Sequence, residues 1–206
     1  MLYYLLFALF GYLLGSILFA PVFGRLFGKD IYSGTKDLNP GTVNAFKNGG
    51  VFCGLLTLAC DVEKGVLPVL LCRRYSTCTD PVTEALGMSL VLLAPVLGHM
   101  FPLYRKFRGG KGIAVTFGVL IGFFPEFYPV LMLGLFFILF SFLIRIKPDF
   151  YMTLITYLCV TVSYFIYAPC PGMRLGFLLR TIFVYIRFHM SGEEREKFEV
   201  KFLWMH

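Results

Sequence analysis

Apolar residues run through this chain with few of the interruptions a soluble protein needs. Stretches of about 20 residues, the length that crosses a bilayer, follow one another from Leu2 to His189 with short polar segments between them. A backbone in hydrocarbon must satisfy its own N–H and C=O groups, which leaves helices or closed barrels. Barrel strands alternate lipid-facing and interior residues, whereas these runs are continuous, so helices are expected. Composition agrees. Hydrophobic residues make up 58% and charged residues 15%, mean hydropathy is +0.76, and a soluble domain carries about 25% charged residues.

The fold expected is an all-α polytopic membrane protein of about seven transmembrane helices, with 1–206 forming a single integral-membrane domain. The spans run roughly Leu2–Gly24, Val51–Leu71, Val82–Leu103, Ile113–Phe124, Phe127–Ile144, Phe150–Ala168 and Met173–His189. Splitting 113–144 at Pro125 and Pro129 leaves an undersized fourth helix, tolerable where its end is buried in protein. Met1–Ala20 lacks a basic start and is apolar beyond the core of a signal peptide, so it reads as a retained first span. With the N-terminus outside, the inner segments collect fourteen of the 19 Lys and Arg residues and the outer segments only Arg73, Arg74 and Arg174. Basic loops stay inside, so the C-terminus is cytoplasmic. The tail from Ser191 to His206 reads either as an interfacial segment or as a frayed end.

Net charge is +7, but the cations lie in short loops rather than on one soluble face, which argues against nucleic acid. The six cysteines form no C-x-x-C pair, and those within apolar runs act as small hydrophobes. Cys72 and Cys78 flank one loop, with bridging left open. No metal and no cofactor is expected.

The chemistry concentrates in polar segments. Arg105-Lys106-Phe107-Arg108-Gly109-Gly110-Lys111-Gly112 sets four cations and three glycines between apolar stretches. Its glycines permit close backbone approach, and the helix that follows presents its positive dipole end, an arrangement suited to phosphate. The competing reading is a basic turn that only anchors topology. The first inner loop carries Asp37-Leu38-Asn39-Pro40-Gly41-Thr42-Val43-Asn44-Ala45-Phe46-Lys47, either a polar-ligand site or an ordinary turn. Asp61 and Lys64, at i and i+3 in the second span, can pair. That pair is either structural or a means of orienting the loops. His99 and His189 sit at inner span ends, where satisfied interfacial histidines are common.

Taken together, Gly15-Ser16-Ile17, Asn39-Pro40-Gly41-Thr42-Val43-Asn44, Asp61-Val62-Glu63-Lys64-Gly65, and Gly98-His99-Met100-Phe101-Pro102 leading to Lys106–Gly112 resemble the bacterial acyl-phosphate-dependent glycerol-3-phosphate acyltransferases, the PlsY family. The resemblance covers about Gly15 to Thr116 and is weaker near Arg187–Glu194. It implies a multi-pass protein of the bacterial plasma membrane, with cytoplasmic loops about 28–50 and 104–112 forming the active site. The implied reaction transfers an acyl group from acyl phosphate to the 1-hydroxyl of glycerol 3-phosphate, giving lysophosphatidate for phospholipid synthesis.

By the same resemblance, Lys111, His189, Asn39 and Asn44 are the catalytic set. Asp37, Gly41, Lys47, His99, Arg108, Gly109, Gly110 and Gly112 bind substrate, with the Gly109–Gly112 N–H groups cradling phosphate. The partners implied are glycerol 3-phosphate, acyl phosphate and membrane lipid. The chain departs from the family where Asp37 replaces the usual Ser, Lys47 the usual Arg, and Gly192 an expected Asn. Two other readings stand beside this one. One is a transporter or channel for an organic phosphate, its path lined by Asp61, Glu63, Lys64 and Arg180. The other is a degenerate family member acting as a binding partner.

Overall fold

The computed structural model describes residues 1–33, 40–78, 80–167, 170–190 and 197–203. Each apolar stretch holds helix. The first is broken in two, α1 (Leu2–Gly15) and α2 (Phe19–Leu26). Leu18 between them is extended. Pro21, in the first turn of α2, lacks the N–H that would bond the Ile17 carbonyl.

A shorter helix, α3 (Thr42–Gly49), lies within the first polar loop, which the sequence reading treats as irregular. Then come α4 (Val51–Tyr75) and α5 (Pro81–Met100), the latter capped by Asp80 Oδ2, which accepts the Thr83 N–H at 2.9 Å. α6 (Ile113–Ile121) is indeed short, and α7 (Tyr128–Ile138) continues into a π-turn over Leu139–Leu143. α8 (Asp149–Tyr167) and α9 (Pro171–Met190) complete the bundle.

The all-α expectation needs one amendment. β1 (Ile144–Lys147) pairs antiparallel with β2 (Glu199–Phe202), Ile144 opposite Phe202 and Lys147 opposite Glu199. The β2 segment Glu-Val-Lys-Phe alternates with period two, the pattern a strand requires, so these four residues of the tail are a paired strand rather than a frayed end. The cysteines are free thiols, Cys72 and Cys78 included.

α5 is the central post, packed against α1, α4, α6 and α9. Its contact with α1 is backbone-close, since a Cβ on Gly15 would strike the Pro95 carbonyl and one on Gly98 the Tyr12 carbonyl. Gly65 and Gly118 play the same part between α4 and α6. Such small-residue contacts join helices where lipid removes the usual hydrophobic drive. The opposite faces carry exposed Leu2, Leu5, Leu6 and Leu9 on α1, and Leu158, Val162 and Phe165 on α8. Apolar surface on this scale faces lipid rather than water. By length and apolarity, Leu2–Leu26, Pro81–Arg105 and Asp149–Tyr167 can each cross a membrane.

Candidate active site

At Met100 the chain leaves α5 and turns back on it. The Phe101 N–H donates to Leu97 O at 2.7 Å, and one 3-10 turn, Leu103–Arg105, follows. Lys106 and Phe107 then take φ of 49° and 60°, left-handed values that non-glycine residues hold only under constraint. The reversal lays the Gly109 N–H on Met100 O at 3.2 Å and the Gly110 N–H on His99 O at 3.0 Å. A Cβ on Gly109 would collide with His99 O. Gly112, at φ 74°, caps α6.

This changes the expected cradle. The N–H groups of Gly109 and Gly110 are engaged within the fold. After Gly110 comes the first turn of α6, whose N–H groups have no intrahelical acceptor. Lys111 stands there partly buried, and Arg108 is exposed.

Two more helices grip the loop. From α1, Tyr12 OH donates to Phe101 O at 2.9 Å, and Ser16 Oγ, just past its end, accepts the Leu103 N–H at 3.4 Å. From α9, Arg187 Nη2 donates to Gly109 O at 2.9 Å. Sequence reasoning counted Arg187 as an inner cation at the start of the weaker resemblance and gave it no part in the loop. Its distance of 78 residues from Gly109 left no local signal of the contact.

Beneath the loop lies a buried polar cluster. Lys64 Nζ sits 2.8 Å from Asp61 Oδ1, donates to Ile17 O at 2.7 Å, and lies 2.9 Å from His99 Nδ1. The Ile17 carbonyl is the one Pro21 leaves without a backbone donor, so the helix break and the buried lysine answer each other. An ammonium has donors only, so His99 accepts through Nδ1 and carries its proton on Nε2. α3, which begins at Thr42, packs against α4, the helix that carries Asp61. A continuous path of contacts therefore runs Asp61–Lys64–His99–Gly110.

The remaining predicted residues fall as follows. Gly41 is the N-cap of α3, with Asn44 buried and Lys47 exposed on that helix. His189 is exposed near the end of α9, its ring 4.2 Å from that of Tyr185 and its Nδ1 3.1 Å from Tyr185 O. Asp37 and Asn39 lie outside the described residues. Asp61 and Lys64 engage each other, Glu63 is exposed, and Arg180 is locked in the core with Nη2 on Leu92 O at 2.7 Å. These four do not line one path.

The fold and site define a helical membrane protein with a cationic glycine loop braced at one end of the bundle. A family model described as Glycerol-3-phosphate acyltransferase matches residues 5–194, and the chain belongs to that family. A Glycerol-3-phosphate acyltransferase of Legionella pneumophila (strain Lens) is 40% identical over 123 residues, 60% of this chain and 42% of that one. One of Pseudomonas aeruginosa (strain LESB58) is 40% identical over 120 residues, 58% of this chain and 60% of that one. The matched stretches thus cover about half the length of these relatives. The fold is similar to a crystal structure of PlsY, an integral membrane glycerol 3-phosphate acyltransferase, in its glycerol 3-phosphate form. The TM-score is 0.71 at 24% identity, over 94% of this chain and 95% of that one. The lysophosphatidic acid form gives a TM-score of 0.68 at 23% identity, over 94% of each chain.

Proposed function

We propose that this chain transfers an acyl group from acyl phosphate to the 1-hydroxyl of glycerol 3-phosphate, releasing inorganic phosphate and leaving lysophosphatidate in the bilayer. The observation that carries the reading is the path from Asp61 through Lys64 and His99 to Gly110, with α3 packed on the helix that holds Asp61. It couples α3, which bears Asn44 and Lys47, to the glycine loop that bears Lys111. Two phosphate-bearing substrates need two cationic elements held in fixed relation, and this path provides the link. Family membership and the names of the relatives support the same reaction.

In this reading the backbone after Gly110 and the first turn of α6 receive the acyl phosphate group, with Arg108 at the rim. Lys47 and Lys111, with His189, hold the glycerol phosphate, while Asn39 and Asn44 orient its hydroxyls and Gly41 lets the backbone approach. His99 contributes a donor through Nε2. Asp37 and Gly112 frame the two loops. The hydroxyl oxygen bonds to the acyl carbon, the carbon–oxygen bond to phosphate breaks, and the hydroxyl proton passes to the departing phosphate. The donor is already activated, so alignment and charge balance supply the catalysis without a protein nucleophile.

The proposed topology has seven spans, α1 with α2 forming the first and α4 to α9 the others. The N-terminus is outside and the C-terminus cytoplasmic. Loops about 28–50 and 104–112 form one cytoplasmic site in a single domain of the bacterial plasma membrane.

The test is purified protein given glycerol 3-phosphate and palmitoyl phosphate. Lysophosphatidate formed in equal amount with phosphate supports the reading. Glycerol 3-phosphate binding without product would overturn it, as would uptake into proteoliposomes without acylation.

A further inference from the structure

Beside the part of the loop that holds Lys111, the described residues enclose a basic hollow. Pro21, Arg25, Gly28, Lys29, Asp30, Ile31, Tyr32 and Arg105 line a cavity of about 430 Å³. None of the residues assigned to the acyl-transfer chemistry lines it. Three cations converge from two separate segments, the end of α2 with its following turn and the 3-10 turn after α5. The single acid, Asp30, accepts the Tyr32 N–H through Oδ1 at 2.9 Å, so part of its acceptor capacity is already used.

The walls are fixed. The Lys29 N–H returns to Gly24 O at 2.8 Å and the Gly28 N–H to Arg25 O at 3.1 Å. These bonds cover carbonyls at the end of α2 that would otherwise repel an anion. Asn48 Nδ2 donates to Ile31 O at 3.0 Å and Ser33 O at 2.9 Å, which holds the turn against α3. The Arg105 guanidinium lies 5.4 Å from the centre of the Tyr32 ring, an arrangement that limits its motion and leaves the fork able to bind phosphate.

The surface beside the hollow indicates where its phosphate comes from. Pro21 and Arg25 share one stripe of α2. The neighbouring stripe is Val22 and Leu26, 51% and 72% exposed, followed by Phe27 at 43%. Basic groups next to bare aliphatic surface suit a molecule with an anionic head and hydrocarbon tails.

The geometry points to a lipid site here, in which Arg25, Lys29 and Arg105 hold the headgroup phosphate of an anionic phospholipid while its chains lie along Val22, Leu26 and Phe27. Such a lipid brings the face that carries the catalytic loop into register with the bilayer surface.

The test is native mass spectrometry of the full chain titrated with phosphatidylglycerol or phosphatidylcholine, for wild type, R25Q/R105Q and K29Q. Wild type binds phosphatidylglycerol about tenfold tighter than phosphatidylcholine, R25Q/R105Q loses that preference, and K29Q lowers it about threefold. Elution as wild type and a Tm within about 2 °C of it show that the variants are folded. Equal affinity of wild type for the two lipids would overturn the site, as would a preference unchanged in both variants. A raised KM for glycerol 3-phosphate with lipid preference intact would assign the hollow to soluble phosphate and overturn the lipid reading.

Discussion

Replacing Lys64 with methionine keeps the length of the side chain and removes its charge. The Asp61 side chain is 2% exposed and 2.8 Å from Lys64 Nζ, so the variant leaves a carboxylate buried without its cation. Removing one partner of a buried pair costs about 3–5 kcal/mol. The Ile17 carbonyl, bonded to Lys64 Nζ at 2.7 Å, also loses its donor, and an orphaned buried acceptor costs about 1–3 kcal/mol. The two losses overlap, because both fall on one small cluster and Asp61 can relax by taking up a proton. A net loss near 4 kcal/mol corresponds to roughly 8–16 °C in Tm for a chain of this size. Changing the acid as well, in D61N/K64M, removes the buried charge and leaves the Ile17 carbonyl, so about half the loss returns. Heating detergent-solubilised protein with a thiol-reactive dye reads this directly, since Cys53 and Cys72 are free and buried. A K64M Tm within about 2 °C of wild type would refute the argument. A double variant no better than the single would also refute it.

Arg187→Gln removes the bond to Gly109 O and lowers kcat/KM about tenfold through a misplaced loop, while Arg187→Lys recovers part of it; equal kinetics in all three would mean the bond does not position the loop. Gly109→Ala drives a methyl into His99 O, so both Tm and turnover fall; unchanged kinetics would show that the loop relaxes without cost. Lys47→Arg keeps the charge and restores the family's planar fork, so its kcat/KM stays near that of wild type or rises; abolished turnover would mean α3 presents the residue differently. Hydrogen bonds from the Thr83 hydroxyl and N–H hold the Asp80 carboxyl below the usual carboxylate range. Its contribution to stability is therefore present above the unfolded value of about 4 and is lost as pH falls through the lower folded value. Asp80→Ala should lower Tm at pH 7 and lower it less at pH 3. The same difference at both pH values would contradict the cap.

Much of the bundle was legible because bilayer physics writes it into composition. Continuous apolar runs, their prolines and the basic loops marked where helices lie, and the short α6 followed from Pro125 and Pro129. Three features were not legible, each because it depends on partners distant in sequence. The β1–β2 pairing joins Ile144 to Phe202, and the short β2 segment alone reads equally well as tail. The helix inside the first loop forms where Thr42–Gly49 packs on α4, although glycine, threonine and asparagine favour turns. For the site, residue types and loop location were readable, whereas the bracing was not. Nothing local to Gly109 or Gly110 reveals that their N–H groups turn back onto Met100 and His99, or that Arg187 holds the other side. The Asp61–Lys64 pair was foreseeable from its i, i+3 spacing. Its link to Ile17 and His99 required the fold.

The claim on which the rest depends is that Lys111, on a loop braced by α1, α5 and α9, holds the phosphate of glycerol 3-phosphate. Acyl transfer by Lys111→Ala, measured as lysophosphatidate formed from glycerol 3-phosphate and palmitoyl phosphate by folded, purified protein, tests it most directly. The account predicts a loss of at least about a hundredfold in kcat/KM with Tm close to that of wild type. Activity within a few fold of wild type in that variant would contradict it.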